Sequence, residues 1–327
     1  MRRLRIAVPP AVAELAGGGG HGNMWRHVLA GLRERADVEL RERAPRGPFA
    51  RRPDVWLADG HATPPATGGA PLVVQVHEAS WADPELAAFL YPDFARALEA
   101  TTESAVRAAR RVITPSEAAR AQVAAAFGLD AGSVHAIHHG VELELFRPAA
   151  DAPASPAYVL FVGVLHPRKN IAAVRQAAAE LDLELVVVGG TPADRPDSRD
   201  LIASALAPAP GLRLRAVESP SNTDLAALYA GATAFCLPSF FEGFGLPALE
   251  AMAAGAPVVV SDRGALPEVV DGAGVVTTPD PASVTQGLRE ALARADELRP
   301  LARARAEKLP WSRTVDGWLA VLDSCAE

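Results

Sequence analysis

Apolar and polar positions along this chain follow two alternating rhythms. Short runs rich in β-branched residues predict strands at Leu4–Val8, Asp54–Ala58, Leu72–Val76, Arg111–Thr114 and Ser133–His138. Between them, the helical period predicts helices at His21–Ala36, Asp93–Arg110 and Ser116–Phe127. The last opens on Pro115-Ser116-Glu117, where the Ser116 hydroxyl is placed to cap the first turn. Arg147–Pro156 then breaks the rhythm with three prolines among small residues, as a linker does. Beyond it the alternation restarts. Strands are predicted at Tyr158–Val162, Leu183–Val188, Leu212–Val217, Thr233–Leu237 and Pro257–Val260. Helices are predicted at Ile171–Glu180, Asn222–Tyr229, Pro247–Ala254, Pro281–Ala295 and Ser312–Asp323.

Repeated strand–helix alternation implies parallel sheets covered on both faces. The expectation is an α/β protein with two doubly wound, Rossmann-like domains, residues 1–148 and 157–327, joined by a hinge at 149–156. The last helix, at about 312–323, is free to cross back to the first domain. Two such sheets place a ligand in an interdomain cleft, at the carboxyl ends of the strands.

Composition sharpens this picture in a few places. A length of 327 residues fits two domains, and 49% hydrophobic with 22% charged residues is ordinary for a soluble globular chain. The net charge of -7 is uneven: residues 1–150 carry 17 basic and 17 acidic residues, while 151–327 carry 15 and 22. An acidic balance argues against nucleic acid as the main partner, yet a few placed cations suffice for an anionic ligand. The 32 basic residues include only two lysines, Lys169 and Lys308. A lysine that persists against such a bias hints that an ammonium is wanted there. Cys236 and Cys325 stand far apart in no metal spacing and are expected to stay reduced. With no signal-like apolar segment after Met1-Arg2-Arg3, the expected location is cytoplasmic. No apolar run reaches the roughly 18 residues that span a bilayer, which leaves peripheral membrane contact open.

The densest chemical signal is Pro238–Asp262, PSFFEGFGLPALEAMAAGAPVVVSD. A buried strand feeds a loop with Gly243 and Gly245, and a helix starts near Pro247, a favoured first helical residue. Backbone N–H groups and the macrodipole make such a helix start an anion site. Glu242 before the helix and Glu250 in its first turns bracket it with carboxylates, which accept strong hydrogen bonds from sugar or ribose hydroxyls. Upstream, His166-Pro-Arg168-Lys169-Asn170 opens the helix at Ile171 with two cations, against the dipole. A diphosphate lying there would make that arrangement favourable. His77 follows the strand Leu72–Val76 and can serve proton transfer or hydrogen bonding from a strand end. Gly17, Gly19 and Gly22 spell G-x-G-x-x-G with Glu42 twenty residues on, but Gly17 lies nine residues beyond Val8. A dinucleotide fingerprint needs its first glycine at the end of the strand, so a flexible loop into a helix is expected instead. His138 and His139 have no convergent acidic partner in the sequence and are not read as metal ligands.

The Pro238–Asp262 string resembles the E-x7-E motif of family 4 glycosyltransferases, which are retaining enzymes of the GT-B fold. The resemblance extends to Phe161–Asn170, Ser221–Tyr229 and Gly264-Ala-Leu-Pro-Glu268, covering the C-terminal half closely and the N-terminal half loosely. It is nearest to a short, mannosyltransferase-like branch with "PRKN". The resemblance implies that Glu242 contacts the donor sugar, Glu250 the nucleotide ribose, and the Gly243, Phe244, Gly245 and Leu246 backbone the sugar and phosphates. It implies that Lys169 grips the diphosphate. Many members carry Arg where this chain has Val164, and Arg168 is the substitute candidate. His77 corresponds to a His close to the reacting sugar, followed here by Glu78 rather than Asp. Gly18, Gly19 and Gly20 correspond to a loop that meets acceptor and donor phosphates. His139 and Glu142 stand in place of the usual N-G-V-D turn.

The expected function is therefore retaining transfer of a hexose, mannose or a 6-deoxyhexose, from a nucleoside diphosphate sugar to an acceptor hydroxyl. The acceptor could be a saccharide, a lipid or a small molecule. Neither a metal nor a cofactor is expected. Two other classes stay in view: a nicotinamide-dependent oxidoreductase built on the glycine run, and a non-catalytic nucleotide-sugar-binding protein.

Overall fold

The computed structural model describes residues 3–15, 19–42, 52–148, 157–190 and 198–327. The chain divides into two compact units: residues 1–140 with 311–327, and residues 141–310. The hinge expected at 149–156 lies outside the described residues, as does Gly18.

The first unit runs β1 (Leu4–Ala7), α1 (Pro10–Leu15), α2 (Gly19–Glu34), β2 (Val38–Arg41), β3 (Val55–Asp59), β4 (Leu72–Gln75), α3 (Pro84–Ala87), α4 (Pro92–Ala108), β5 (Arg111–Thr114), α5 (Glu117–Phe127) and β6 (Val134–Ala136). All six strands are parallel, in the order β2-β1-β3-β4-β5-β6. Strand order therefore reverses between β1 and β3. β3 and β4 are buried on both faces, which is why they read as continuous apolar runs. One face of the sheet packs Ile6, Leu57 and Val73 with Trp25 and Leu29 of α2 and with Val315, Trp318 and Leu322 of the C-terminal helix Trp311–Ala326. Trp25 and Trp318 meet edge to face at 5.3 Å. The other face packs Trp56, Val74 and Val112 against Ala105 and Val106 of α4 and Val123 of α5. Ser116 caps α5 as its position implies, its Oγ accepting from the Ala119 N–H at 2.9 Å.

The second unit runs β7 (Tyr158–Val162), α6 (Ile171–Glu180), β8 (Glu184–Val188), α7 (Ser198–Leu206), β9 (Arg213–Val217), α8 (Asn222–Gly231), β10 (Ala234–Leu237), α9 (Leu246–Ala253), β11 (Val258–Ser261), α10 (Leu266–Val270), β12 (Val275–Thr277), α11 (Pro281–Ala293) and α12 (Ala295–Ala306). Its strands are also all parallel, in the order β12-β11-β10-β7-β8-β9, and the order reverses between β7 and β10. The last helix, α13 (Trp311–Ala326), belongs to the first unit. Among the described residues, no helix is long and apolar enough to cross a membrane.

Three sequence expectations need correction. The segment after Val8 is not simply loop: α1 occupies part of it, and Gly19 and Gly20 form the first turn of α2. Edge strands β2 and β12 escaped prediction because each is three or four residues long and partly exposed, so its apolar run is weak. Residues 141–148 group with the second unit, not the first. There, Arg303 Nη1 donates to the carbonyls of Leu143 and Phe146, and Phe146 packs edge to face on Tyr229 at 5.6 Å.

Candidate functional site

In an open parallel sheet, ligands bind beyond the carboxyl ends of the strands where strand order reverses. In the second unit that point lies at the ends of β7 and β10, and the residues that follow those strands meet there. After β7 the chain makes a tight 3-10 turn over Pro167–Lys169, and the His166 side chain accepts from the Arg168 N–H at 3.2 Å. Asn170 then adopts a left-handed conformation, φ 56°, tolerable for asparagine. Its side-chain amide donates to the carbonyls of Pro238 (3.1 Å) and Pro279 (2.7 Å), tying the start of α6 to the loop after β10.

The turn thereby delivers Lys169 to Glu242. Lys169 Nζ lies 2.5 Å and 2.7 Å from the two carboxylate oxygens, and both side chains are largely buried. Ser239 Oγ donates to the same carboxylate at 2.6 Å. Arg168 Nη1 donates to the carbonyl of Phe241 at 2.9 Å, which brings its guanidinium beside Glu242. Burial alone would raise the Glu242 carboxyl. The charges of Lys169 and Arg168, with the hydrogen bonds from Lys169 and Ser239, outweigh it and hold Glu242 ionised below the usual range.

Glycines let this loop close. Gly245 precedes α9 with φ 102°, and a Cβ there would lie 2.7 Å from Leu266. At Gly264 (φ 58°) a Cβ would fall 2.4 Å from the Glu242 carbonyl oxygen, so only glycine admits this approach. The Phe244 and Leu246 side chains on either side of Gly245 are buried.

Glu250 lies about one turn into α9. Its Oε2 accepts from the Tyr229 hydroxyl at 2.9 Å. Burial pushes its carboxyl up to about 7; the Tyr229 bond opposes that, and the nearby charge of Glu142 adds to it. Val164, where an arginine was missed, is exposed.

The first unit has its own reversal point, between β1 and β3, and a histidine cluster occupies it. Asp59 ends β3 and is buried. Its carboxylate accepts from the His61 backbone N–H (2.8 Å) and the Trp25 indole (2.8 Å), and pairs with His21 Nε2 (2.6 Å). Burial alone would raise Asp59, yet the His21 hydrogen bond and charge, His61 and Trp25 hold it below its ordinary value. His77, just beyond β4, meets the His21 ring edge to face at 3.9 Å, and lies 5.9 Å from His61 and 6.0 Å from His139. Its Nε2 and that of His61 are buried with no hydrogen-bond partner. Burial first, then the other three rings, pushes His77 well below the ordinary imidazole value. His61 is lowered, and His139 is lowered to about 3, in both cases mainly by burial. His77 is therefore neutral at pH 7, which favours hydrogen bonding over proton exchange for this ring. His21, Asp59 and His61 also bring one potential metal-ligand atom each within 4.8 Å of one another.

These rings carry an expected pH signature. Between pH 6.5 and about 3 the unfolded chain binds protons that the buried rings refuse. Stability from these rings is thus present above pH 6.5 and lost as pH falls. Glu250, raised in the fold, works in the opposite direction, its contribution fading as pH rises through about 7. A variant comparison separates the two. The melting temperature of His139→Gln should fall less steeply between pH 7 and 4.5 than that of the parent chain. Identical slopes would remove His139 from this account.

The structure thus gathers Arg168, Lys169 and Glu242 and pairs Glu250 with Tyr229 in the second unit, and places His77 in the first. Sequence reasoning missed Ser239, Tyr229, His21, Asp59 and His61. Asp59-Gly-His61 directly after a strand was a readable signal for two of them. His21 was visible only as part of the glycine run.

Comparisons with known proteins bear on both units. Residues 144–308 match the family described as Glycosyl transferases group 1, and residues 28–145 match Glycosyltransferase Family 4. The chain is 32% identical over 280 residues to the MMP alpha-(1->4)-mannosyltransferase of Mycolicibacterium hassiacum, covering 78% of this chain and 66% of that protein. It is 35% identical over 182 residues to the D-inositol 3-phosphate glycosyltransferase of Mycobacterium tuberculosis, covering 51% of this chain and 37% of the other. This chain thus spans less than two thirds of either curated relative. Among solved structures, sucrose-phosphate synthase from Thermosynechococcus elongatus superposes with a TM-score of 0.77 at 20% identity, covering 98% and 99% of the two chains. Anabaena HepE, solved with UDP and glucose, gives 0.68 at 18% identity, covering 98% and 100%.

Proposed function

Because this chain belongs to the group 1 glycosyl transferases, we propose that it moves a hexose from a nucleoside diphosphate sugar to an acceptor hydroxyl, with retention at the anomeric carbon. The observation that carries this reading is the Arg168–Lys169–Glu242 group at the β7/β10 reversal, beside the glycine loop that opens α9. A buried ammonium already paired with a carboxylate is poised to exchange partners. When a diphosphate arrives, Lys169 and Arg168 stabilise the charge that develops on the leaving group. Glu242, released, accepts hydrogen bonds from sugar hydroxyls. Glu250 accepts from the ribose, and with its carboxyl near 7 it is most competent above neutral pH. His77 supplies a neutral hydrogen-bonding group. Mannose is the favoured sugar, supported by the mannosyltransferase relative, with a 6-deoxyhexose second.

The nicotinamide reading is disfavoured because α1 separates β1 from the glycine run, so no glycine stands at the strand end. A thermal-shift panel of GDP, UDP, TDP, their sugars and NAD(H) tests the proposal. A nucleoside diphosphate and its sugar should raise the melting temperature. A shift with NAD(H) alone would overturn the reading.

Two protein cations at the diphosphate make a divalent ion unnecessary. Transfer should therefore persist in excess EDTA at no less than about half its rate. Loss of turnover with EDTA, restored by Mg²⁺, would refute the cation-clamp mechanism.

A further inference from the structure

The histidine cluster of the first unit carries a chemistry that the proposed transfer leaves unused. We infer that His21, Asp59 and His61 form a site for a divalent transition metal ion of the Zn²⁺ class, held reversibly by two imidazoles and one carboxylate. The inference goes beyond the transferase reading and does not rest on it.

Each of the three residues brings a ligand atom within 4.8 Å of the other two. Two ligands of one tetrahedral ion, at bonds of about 2.0–2.1 Å, stand roughly 3.3 Å apart. The shortest separation, His21 Nε2 to Asp59 Oδ2 at 2.6 Å, holds a shared hydrogen. An ion that replaces this hydrogen needs the pair to open by only about 0.7 Å. His21 can give that distance, because it lies in the first turn of α2 with 27% of its side chain exposed. The same exposure is an entry path for the ion.

The other two ligands are held still. Asp59 and His61 flank Gly60, whose N–H donates to the Gln75 carbonyl at 2.7 Å. A Cβ on Gly60 would fall 2.8 Å from the Val76 side chain and 2.9 Å from that carbonyl oxygen, so the turn is clamped against β4. The carboxylate is oriented from outside the site. Its Oδ1 accepts from the His61 backbone N–H and its Oδ2 from the Trp25 indole, both at 2.8 Å. Ligating carboxylates are commonly fixed by such outer hydrogen bonds.

A second, independent observation points to a ligand. Buried polar atoms normally have partners, yet Nε2 of His61 is buried without one. His77, whose ring lies 3.9 Å from that of His21, sets another buried and unpartnered Nε2 beside the site. The donor set selects the class of ion. Imidazole nitrogens suit Zn²⁺ and its transition-metal neighbours, whereas Mg²⁺ and Ca²⁺ require oxygen shells. Three protein ligands leave the fourth tetrahedral position to water. No spacing along the chain announces the site, since His21 and Asp59 stand 38 positions apart. Asp59 already has three hydrogen-bonded neighbours, so the cluster is satisfied at its centre without an ion. The ion is therefore exchangeable, and a chelator removes it without undoing the fold.

Two measurements on the full chain test this. Calorimetry after chelator treatment and dialysis should find one equivalent of Zn²⁺ bound, with equimolar Mg²⁺ failing to compete. His21→Ala and His61→Gln should each weaken Zn²⁺ by at least about a hundredfold, beyond the ten- to hundredfold typical of an outer-shell change. His135→Gln, on β6, should bind as the parent does. The second measurement needs no variant and so stands even if one fails to fold. In ¹⁵N-histidine NMR of the parent, Zn²⁺ should give its largest shifts at the ring nitrogens of His21 and His61. No Zn²⁺ bound by the parent overturns the inference. So does undiminished binding in both cluster variants, displacement by Mg²⁺, or largest shifts at any other ring. The nucleoside diphosphate panel, run without metal, decides the donor reading separately.

Discussion

Replacing Lys169 with alanine should cost roughly ten- to a hundredfold in nucleoside diphosphate affinity, and at least as much in transfer. A charge-assisted contact is worth about 1.5–3 kcal/mol, which is that range of equilibrium constant. The structure adds a second effect. Lys169 neutralises Glu242 in a largely buried pair, so its removal strands a carboxylate with only Arg168 and Ser239 beside it. Breaking one side of a buried pair typically destabilises by about 3–5 kcal/mol. Lys169→Ala should therefore also melt at a lower temperature. The double variant Lys169→Ala/Glu242→Gln separates the two effects, because a neutral amide needs no counterion. It should regain most of the lost stability and none of the diphosphate affinity. Calorimetry giving unchanged diphosphate affinity in Lys169→Ala would sink the clamp assignment. If the double variant stayed as unstable as the single one, the ion-pair account of stability would fail instead.

The second large effect is expected at His77. His77→Ala should bind nucleoside diphosphate normally, since the groups assigned to the nucleotide all lie in the second unit, and yet lose about a hundredfold or more in transfer. An interaction made mainly in the transition state lowers turnover without changing ground-state binding. The ring is neutral at pH 7 and its Nε2 lacks a partner, so the role assigned to it is a hydrogen bond. His77→Gln, which keeps a donor and an acceptor without a titrating ring, should recover part of the activity. A packing role predicts something else: a lowered melting temperature with normal turnover per folded molecule. Melting temperature, diphosphate affinity and turnover measured on one His77→Ala preparation decide between the two. A destabilised but fully active enzyme would remove His77 from the chemistry.

How much of this was legible beforehand depends on the distance over which each feature is written. The strand–helix alternation, the parallel α/β class, the Ser116 cap and the glycine loop that leads into α9 are local. Each depends on side-chain period or on residues within one turn, so the sequence alone determined them. Lys169, Glu242 and Glu250 were also named from local strings. Their partners were not local. The Lys169–Glu242 pair joins positions 73 apart, and Tyr229 reaches Glu250 across 21. The pairing of β7 with β10 decided the first of those contacts, and the packing of α8 on α9 the second. The same holds in the first unit. His21 lies on α2, Asp59 ends β3 with His61 just beyond it, and His77 and His139 follow β4 and β6, so the packing of these elements makes them neighbours. Protonation came later still. Whether an imidazole is charged, or a carboxyl sits near 7, depends on burial and on the charges packed around it, and those exist only once the sheets are assembled.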